Sequence, residues 1–99
     1  MESIKKYNIN WSPNFQRELG NIYSYIDNVL QEHSTAVKLY DSIITEIYSL
    51  NYFPEKFPQI YNFKFKNRNL RKFIIKKFVI IYEVDKQKRS SLYFTYLSL

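Results

Sequence analysis

The pattern of apolar and polar residues begins with a short stretch of strict alternation. From Tyr7 to Trp11 every second residue is apolar, which is the period of a β-strand with one buried face. Ser12 and Pro13 follow, and serine before proline is typical of a helix start. Apolar residues then recur every three or four positions, at Phe15, Leu19, Ile22, Ile26 and Leu30. This stripe predicts a first helix over residues 13 to about 31.

A second helical stripe follows after a short polar stretch. The stripe consists of Ala36, Leu39, Tyr40, Ile43, Ile47 and Leu50. Ser34 or Thr35 is the candidate cap at its start, and the stretch from Asn51 to Pro54 ends it. Because few residues separate the two helices, we expect an antiparallel hairpin. Gly20 lies inside the first helix, where it costs about 1 kcal/mol relative to alanine. A close approach of the second helix would explain it.

The rest of the chain has the patterns of strands. A packed connecting loop is expected over 53–59, a strand with outward lysines at 63–66 and a turn at 67–69. Further strands are expected at 70–75, 78–84 and 92–97, and the second of these is apolar on both faces, as in a strand covered on each side. The order predicts a single α+β domain over 1–99, in which an N-terminal strand and a helical hairpin pack on a four- to five-stranded, mainly antiparallel sheet.

The composition excludes several kinds of chemistry. The chain has one glycine, one histidine (His33) and no cysteine, so glycine-rich phosphate loops, paired-histidine metal sites and thiolate chemistry are excluded. We therefore expect no metal and no cofactor. A catalytic triad using His33 with Asp27 or Asp41 is the weaker interpretation, and a polar residue in a helix–helix turn is the stronger one. No apolar run reaches the roughly 18–20 residues that span a bilayer, and no secretory leader is visible, so we expect a cytoplasmic protein without membrane contact.

Positive charge is concentrated in the second half of the chain. Residues 1–60 carry five basic and seven acidic side chains, whereas residues 61–99 carry ten basic and two acidic ones. A basic strip without an acid consists of Lys64, Lys66, Arg68, Arg71, Lys72, Lys76 and Lys77. Such a strip attracts nucleic acid, a ribosome or an acidic protein. The alternative is a set of solvated strand edges, which lysine protects from aggregation.

Tyrosines indicate a protein partner. Five of them are too many for the core of so small a domain, namely Tyr23, Tyr25, Tyr48, Tyr52 and Tyr61. Tyrosine is common at interfaces because it supplies a large rigid surface with a polar tip. We expect about half of these side chains to line the rim of the core instead.

Five stretches resemble the RelE/ParE superfamily of bacterial toxins. They are YNINWS at 7–12, IYSYI at 22–26, IYSLNYFP at 47–54, LR at 70–71 and FVIIYEVD at 78–85. The resemblance implies the toxin half of a type II toxin–antitoxin pair, which arrests growth and is neutralised when a segment of the antitoxin wraps it. It also implies that promoter DNA is bound only through the antitoxin, and the five tyrosines are the candidate antitoxin-binding residues.

Toxins that resemble this chain act on two targets. RelE-like toxins cut messenger RNA in the ribosome and so inhibit translation, whereas ParE-like toxins, known from plasmid stabilisation, poison DNA gyrase without breaking a bond themselves. RelE-like nucleases place an arginine where this chain has Val79, and further arginine, histidine or tyrosine residues at or beyond the last strand. This chain ends in YLSL, without arginine, histidine or an acid. Both differences favour the gyrase interpretation slightly, although the histidine and arginine that usually end ParE-like chains are also missing.

Candidate residues for RNA cleavage nevertheless exist. Lys72 is a candidate base, Arg71 a phosphate ligand and Tyr96 a proton donor or a platform for a nucleobase. Arg71 could instead bind a backbone carbonyl or Glu83, and Tyr96 could simply pack. Two further alternatives are an attenuated toxin that only binds antitoxin, and a plain nucleic-acid-binding module that uses the basic strip.

Overall fold

The computed structural model describes residues 6–61, 68–87 and 91–98, with the backbone alone at Tyr96 and Ser98. Strand β1 is followed by two helices, the first of which continues into a π-helical segment, and then by three strands. The bounds are β1 Asn8–Trp11, α1 Pro13–Ser24, the π-helical segment Tyr25–Val29, α2 His33–Ser49, β2 Leu70–Ile75, β3 Phe78–Asp85 and β4 Ser91–Ser98.

The four described strands form one mixed sheet. Their order is β1-β4-β3-β2, with β1 parallel to β4 and the other two pairs antiparallel. This arrangement confirms the predicted α+β fold, with its N-terminal strand and helix pair. The strand expected at 63–66 lies outside the described residues. No helix in the described part of the chain is both long enough and apolar enough to cross a bilayer.

One face of the sheet carries the hydrophobic core. Phe15 of α1 and Ile43 of α2 are fully buried, and they pack in one cluster with Ile80, Tyr82 and Phe94 of the sheet. The Phe15 and Phe94 rings lie 5.8 Å apart, and Tyr82 stacks on Phe94 at 5.3 Å. These side chains alternate along their strands, so the helical hairpin covers a single face of the sheet.

The predicted start of helix one is confirmed. The Ser12 hydroxyl oxygen accepts a hydrogen bond from the Phe15 amide at 2.9 Å, and Pro13 occupies the first helical turn. The α-helical geometry ends at Ser24, and the chain then widens into the π-helical segment before Gln31 takes a left-handed φ of 54°. The Glu32 amide then donates to the Ile26 carbonyl at 3.0 Å, which is a bond typical of a helix C-terminus.

Helix two begins before the predicted caps. It starts at His33, with Glu32 as the preceding residue and no side chain capping the first turn, so neither Ser34 nor Thr35 is the cap. The reason is the left-handed Gln31, which ends the first helix and lets the second begin two residues later at His33.

The explanation that the sequence suggested for Gly20 is wrong. A Cβ atom built on Gly20 would have nothing within 4 Å, so no close helix approach requires glycine there. Gly20 is exposed instead and borders a surface groove.

Candidate functional site

The second face of the sheet is not covered by any described helix. We call this the open face and define it by Lys72, Ile74, Val79, Ile81 and Tyr93, which alternate with the core residues on their strands. Ile74 is 63% exposed, and Val79, Ile81 and Tyr93 are half-buried. The expectation that β3 is covered on both faces is therefore wrong for the described chain, although β3 is an interior strand of the sheet.

The candidate catalytic residues are not brought together. Lys72 pairs in register with Ile81, which in turn pairs with Tyr96, so these three positions form one row across the sheet. Two strand spacings separate the backbones of Lys72 and Tyr96, or about 10 Å. Arg71 neighbours Lys72 on the same strand and therefore points to the opposite face.

Arg71 anchors the loop that follows helix two. Its side chain is only 12% exposed. The guanidinium donates to the Phe57 carbonyl at 2.7 Å, to the Glu55 carbonyl at 3.2 Å, to the Glu55 carboxylate at 2.9 Å and to the Asn69 side-chain oxygen at 3.0 Å. These contacts match the interpretation that Arg71 ties the sheet to backbone carbonyls, and its carboxylate partner is Glu55 rather than Glu83. Its catalytic role stays a prediction that these contacts do not favour.

Two neighbouring groups complete this anchor. The buried Tyr82 hydroxyl donates to the Pro54 carbonyl at 2.7 Å, and burial raises the pKa of Tyr82 to about 12. A hydrogen bond from Lys86, with further help from Asn69 and the charge of Arg71, holds the pKa of the Glu55 carboxyl below its ordinary value despite some desolvation. The loop over 53–59 is thus packed, as predicted, and the Phe57 ring stacks on Phe73 at 4.7 Å.

In the described part of the basic strip, some side chains form ion pairs within the protein and others are exposed to solvent. Arg68 forms a bidentate pair with Glu83, through Nε at 3.1 Å and a terminal nitrogen at 2.7 Å, and this hydrogen bond raises the pKa of Arg68. Lys72, Lys76 and Lys77 are exposed, and none of them forms an ion pair with another described residue. Lys64 and Lys66 lie outside the described residues.

Lys76 and Lys77 form the tight turn between β2 and β3. Lys76 has a φ of 58°, which lies in the left-handed region that favours glycine. The turn brings both ammonium groups to the end of the hairpin that carries Lys72. This hairpin can attract an anionic partner, whereas no group of three or more histidine or acidic side chains in the described residues is arranged to hold a metal ion.

His33 does not belong to a hydrolytic triad among the described contacts. Its Nδ1 lies 2.7 Å from the Asp27 carboxylate, and its side chain is 72% exposed. No serine hydroxyl in residues 6–61, 68–87 or 91–98 has a hydrogen bond to it. The contact joins the end of helix one to the start of helix two, which fits the predicted polar turn.

The five candidate tyrosines differ in their surroundings. Tyr23 is half-buried against the core cluster and meets the Tyr40 ring edge-on at 5.9 Å. Tyr48 is 51% exposed and meets the Trp11 ring at 6.5 Å. Tyr25, Tyr52 and Tyr61 are exposed, so of the five only Tyr23 lines the rim of the core itself.

A groove runs over the outer side of the helical hairpin, and Tyr48 lies in it. Its volume is about 480 Å³, and its lining residues are Trp11, Gln16, Leu19, Gly20, Tyr40, Ile44 and Tyr48. A second concavity continues it past Gly20 and Tyr40 to Tyr23. Sequence reasoning missed Tyr40 and Ile44 as groove residues, although the spacing of Tyr40, Ile44 and Tyr48 by four places them on one stripe of α2.

Comparison with known proteins identifies a matching family for nearly the whole chain. The family is described as the ParE toxin of the type II toxin–antitoxin system parDE, and it matches residues 9–91. The match runs from the second residue of β1 to the first residue of β4, so it includes the helical hairpin and every open-face residue except Tyr93. A search of curated proteins gave no match.

Proposed function

Because the chain belongs to the ParE toxin family of type II toxin–antitoxin systems, we propose that the free protein arrests growth by binding DNA gyrase. In this proposal the open face and the adjacent hairpin turn form the target-binding surface, and the cognate antitoxin neutralises the toxin. The observation that carries the proposal is the direction of Arg71, whose guanidinium lies on the helix side and is taken up by the 55–57 loop.

The chemistry of RNA cleavage supports this preference for gyrase. Transesterification through a 2′-hydroxyl needs a base, a cation beside the phosphate and an acid for the leaving oxygen. At its centre the open face has Val79 and Ile81, which supply none of these, and among its defining residues it has one cation, Lys72. A toxin that inhibits by binding needs a contact surface and charge instead, and the apolar pair Ile74–Val79 beside the exposed Lys72 supports this mode of action.

The proposed target surface combines apolar and basic groups. Ile74 and Val79 are register partners on β2 and β3 and form an apolar patch, with Lys72 beside it and the Lys76–Lys77 turn at its end. An apolar centre with a charged rim is typical of protein interfaces. Lys64 and Lys66 stay predicted contributors to this surface, and Arg68 would contribute through its pair with Glu83.

RelE-like, ribosome-dependent RNA cleavage is the second candidate, and one observation favours it. Lys72 and Tyr96 occupy the same row across the sheet, so the backbone positions of the candidate base and the candidate proton donor lie about 10 Å apart. This span would suit two groups on opposite sides of a bound phosphate. The proposal ranks below gyrase binding because Arg71 does not join the row.

A first experiment separates the two targets. The chain is expressed under tight control in a bacterium, and the synthesis of DNA, RNA and protein is followed by pulse labelling within minutes. We expect DNA synthesis to fall first and purified gyrase to lose supercoiling activity when the protein is added. An initial fall in protein synthesis would overturn gyrase as the target and favour RNA cleavage. Undisturbed growth at confirmed soluble expression would leave an attenuated toxin or a nucleic-acid-binding module.

Paired lysine substitutions test the surface itself. Lys72→Glu together with Lys77→Glu should reduce gyrase inhibition about tenfold, since reversed charges at an interface repel the partner. The matched control is Lys6→Glu with Arg17→Glu, because both side chains are exposed and neither belongs to the basic strip. Equal activity of the two double variants would contradict the proposed surface.

We further propose that the groove on the helical hairpin binds the antitoxin. Its aromatic lining can bury an apolar helix face, which is a common mode of peptide recognition. Tyr48→Ala should weaken antitoxin binding about tenfold or more, as expected of a central aromatic anchor. Tyr52→Ala is the matched control, because Tyr52 is 47% exposed and Tyr48 51% exposed, but only Tyr48 lines the groove.

If only the Tyr52 variant loses affinity for the antitoxin, the antitoxin interface lies on the surface formed by residues 52–61 and not in the groove. In that case Tyr52 and Tyr61 would be the antitoxin residues, as the sequence also allowed. Tyr25 would be tested in the same series, since it is 53% exposed and does not line the groove.

A further inference from the structure

A separate cavity lies where the tip of the helical hairpin meets the turn between β2 and β3. Its volume is about 450 Å³, within the range of small-ligand and peptide-anchor pockets. The lining residues come from both helices and from the sheet, namely Ile26, Leu30, Glu32, Thr35, Lys38, Leu39, Lys76, Lys77 and Phe78. This cavity shares no lining residue with the groove or the open face, although the Lys76–Lys77 turn also belongs to the proposed target surface.

The lining divides into apolar and cationic groups. Ile26 and Leu39 are buried, Phe78 is half-buried and Leu30 is 48% exposed, so an apolar ligand would find ready contacts. The polar lining contains three lysines and a single acid, Glu32. Within the described residues none of the three lysines is engaged in an ion pair. Three lysines against one acid leave the rim with a net positive charge around apolar walls, which matches a ligand that is itself apolar and anionic.

Irregular backbone is concentrated around the same cavity. The π-helical segment Tyr25–Val29 includes its wall residue Ile26. The two described residues with a left-handed φ are Gln31, between the lining residues Leu30 and Glu32, and Lys76, which lines the cavity itself. Both are positions where glycine would be the unstrained choice. Strain of this kind clusters where a side chain serves binding, and here it keeps an ammonium group at the rim.

We propose that this cavity anchors an acidic segment of the cognate antitoxin, which inserts one or two large apolar side chains and places flanking carboxylates beside Lys38, Lys76 and Lys77. The inference rests on the proposed toxin–antitoxin function and adds a second, electrostatic anchor to the groove. A nucleic acid would use the lysines but leave the apolar walls unfilled, which is why a peptide with both features is the better match. Occupation of the cavity would also cover Lys76 and Lys77, and so block the target surface.

The test measures binding of the full-length cognate antitoxin to the full-length chain by calorimetry at low and high ionic strength. Leu30→Ser should weaken binding about tenfold, because it removes an apolar wall. Lys76→Glu with Lys77→Glu should weaken binding about tenfold at low ionic strength, with a smaller loss at high ionic strength. Amide hydrogen exchange should show new protection across the 75–78 turn when the antitoxin is bound.

Matched controls are available close to each changed position. Val29 is 65% exposed, precedes Leu30 and does not line the cavity, so Val29→Ser should leave the affinity within about twofold. Lys6→Glu with Arg17→Glu is the control for the double charge reversal, because both side chains are exposed and neither lines the cavity. Lys76→Gly separates fold from function, because it removes the ammonium group and relieves the left-handed φ. It should melt no lower than the parent and still bind the antitoxin more weakly.

The outcomes distinguish this inference from the proposed function. If the antitoxin fails to bind the unchanged chain, both the toxin–antitoxin proposal and the proposed anchor are wrong. If it binds the unchanged chain and the cavity variants equally well, only the anchor is wrong. Loss of oligonucleotide binding in the Lys76 variants, with unchanged antitoxin affinity, would assign the cavity rim to nucleic acid and would equally overturn the anchor.

Discussion

Arg71 and Tyr82 are register partners on β2 and β3, and their side chains hold the same loop. The Arg71 guanidinium donates to the Phe57 carbonyl and the Tyr82 hydroxyl to the Pro54 carbonyl, each at 2.7 Å. Buried carbonyls need such donors when no regular structure satisfies them. The pair therefore fixes the path from α2 to the sheet, and Arg71, although it belongs to the basic strip, makes these structural contacts.

Removal of Arg71 should be costly for stability. Arg71→Ala leaves the carbonyls of Glu55 and Phe57 without this donor, and we expect a loss of about 2–3 kcal/mol in the free energy of unfolding. Arg71→Lys should recover part of the loss, because one ammonium group cannot reach all four acceptors. Urea denaturation gives the values.

Arg68→Ala is the control for this change. Arg68 also pairs with an acid, but its side chain is 48% exposed, and exposed pairs contribute about 0.2–1 kcal/mol. If Arg71→Ala were as mild as Arg68→Ala while antitoxin binding or toxicity were lost, Arg71 would be a functional residue after all.

Tyr82 should make the fold sensitive to alkaline pH. Burial raises its pKa to about 12, above the value of about 10 in an unfolded chain. The unfolded state therefore loses the proton first, so this contribution is complete below about pH 10 and is lost as the pH rises towards 12, with an order of magnitude of 2–3 kcal/mol.

Tyr82→Phe isolates that contribution from the other tyrosines and lysines. The variant should be less stable than the parent at neutral pH by about 1 kcal/mol, because it lacks the bond to Pro54. Its free energy of unfolding, from denaturation at a series of pH values, should fall less steeply than that of the parent between about pH 10 and 12. Parallel curves would mean that the Tyr82 hydroxyl is not desolvated in solution.

The spacing of neighbouring apolar residues was sufficient to predict most helices and strands. The candidate site was harder to predict from the sequence, and particular residues show why. The Ser12 cap and the stripe from Phe15 to Ile26 are properties of adjacent residues, so the sequence alone indicates them. The direction of Arg71 depends on strand register and on a loop that lies 14 residues away at Phe57. The cavity is lined by both Leu30 and Lys76, which are far apart in the sequence, so no helical or strand periodicity could have predicted that they lie together. The close helix approach suggested for Gly20 was wrong, because a Cβ there would meet nothing and the residue borders a groove.

Gly20→Ala should stabilise the protein. Gly20 lies in the interior of α1, and an added Cβ meets nothing within 4 Å, so the helix gains about 1 kcal/mol from the better helix former. Thermal denaturation should show a higher midpoint. Gly20→Trp should leave the fold intact but fill the groove, so it should weaken antitoxin binding, whereas Gly20→Ala should not. An alanine variant that melts lower would contradict the open surroundings of Gly20.

Gln31→Gly tests the turn between the two helices. Gln31 has a φ of 54°, and a left-handed conformation costs a residue with a Cβ about 1–2 kcal/mol. Glycine removes that cost, while the bonds from Leu30 to the Tyr25 carbonyl and from Glu32 to the Ile26 carbonyl can remain, since both use the backbone. We expect a gain of about 1 kcal/mol, which for a domain of this size raises the melting midpoint by roughly 4–8 °C. Gln31→Ala is the control and should give no gain, because alanine keeps the Cβ. A gain of equal size in both variants would mean that the glutamine side chain, and not the backbone conformation, is the source of the strain.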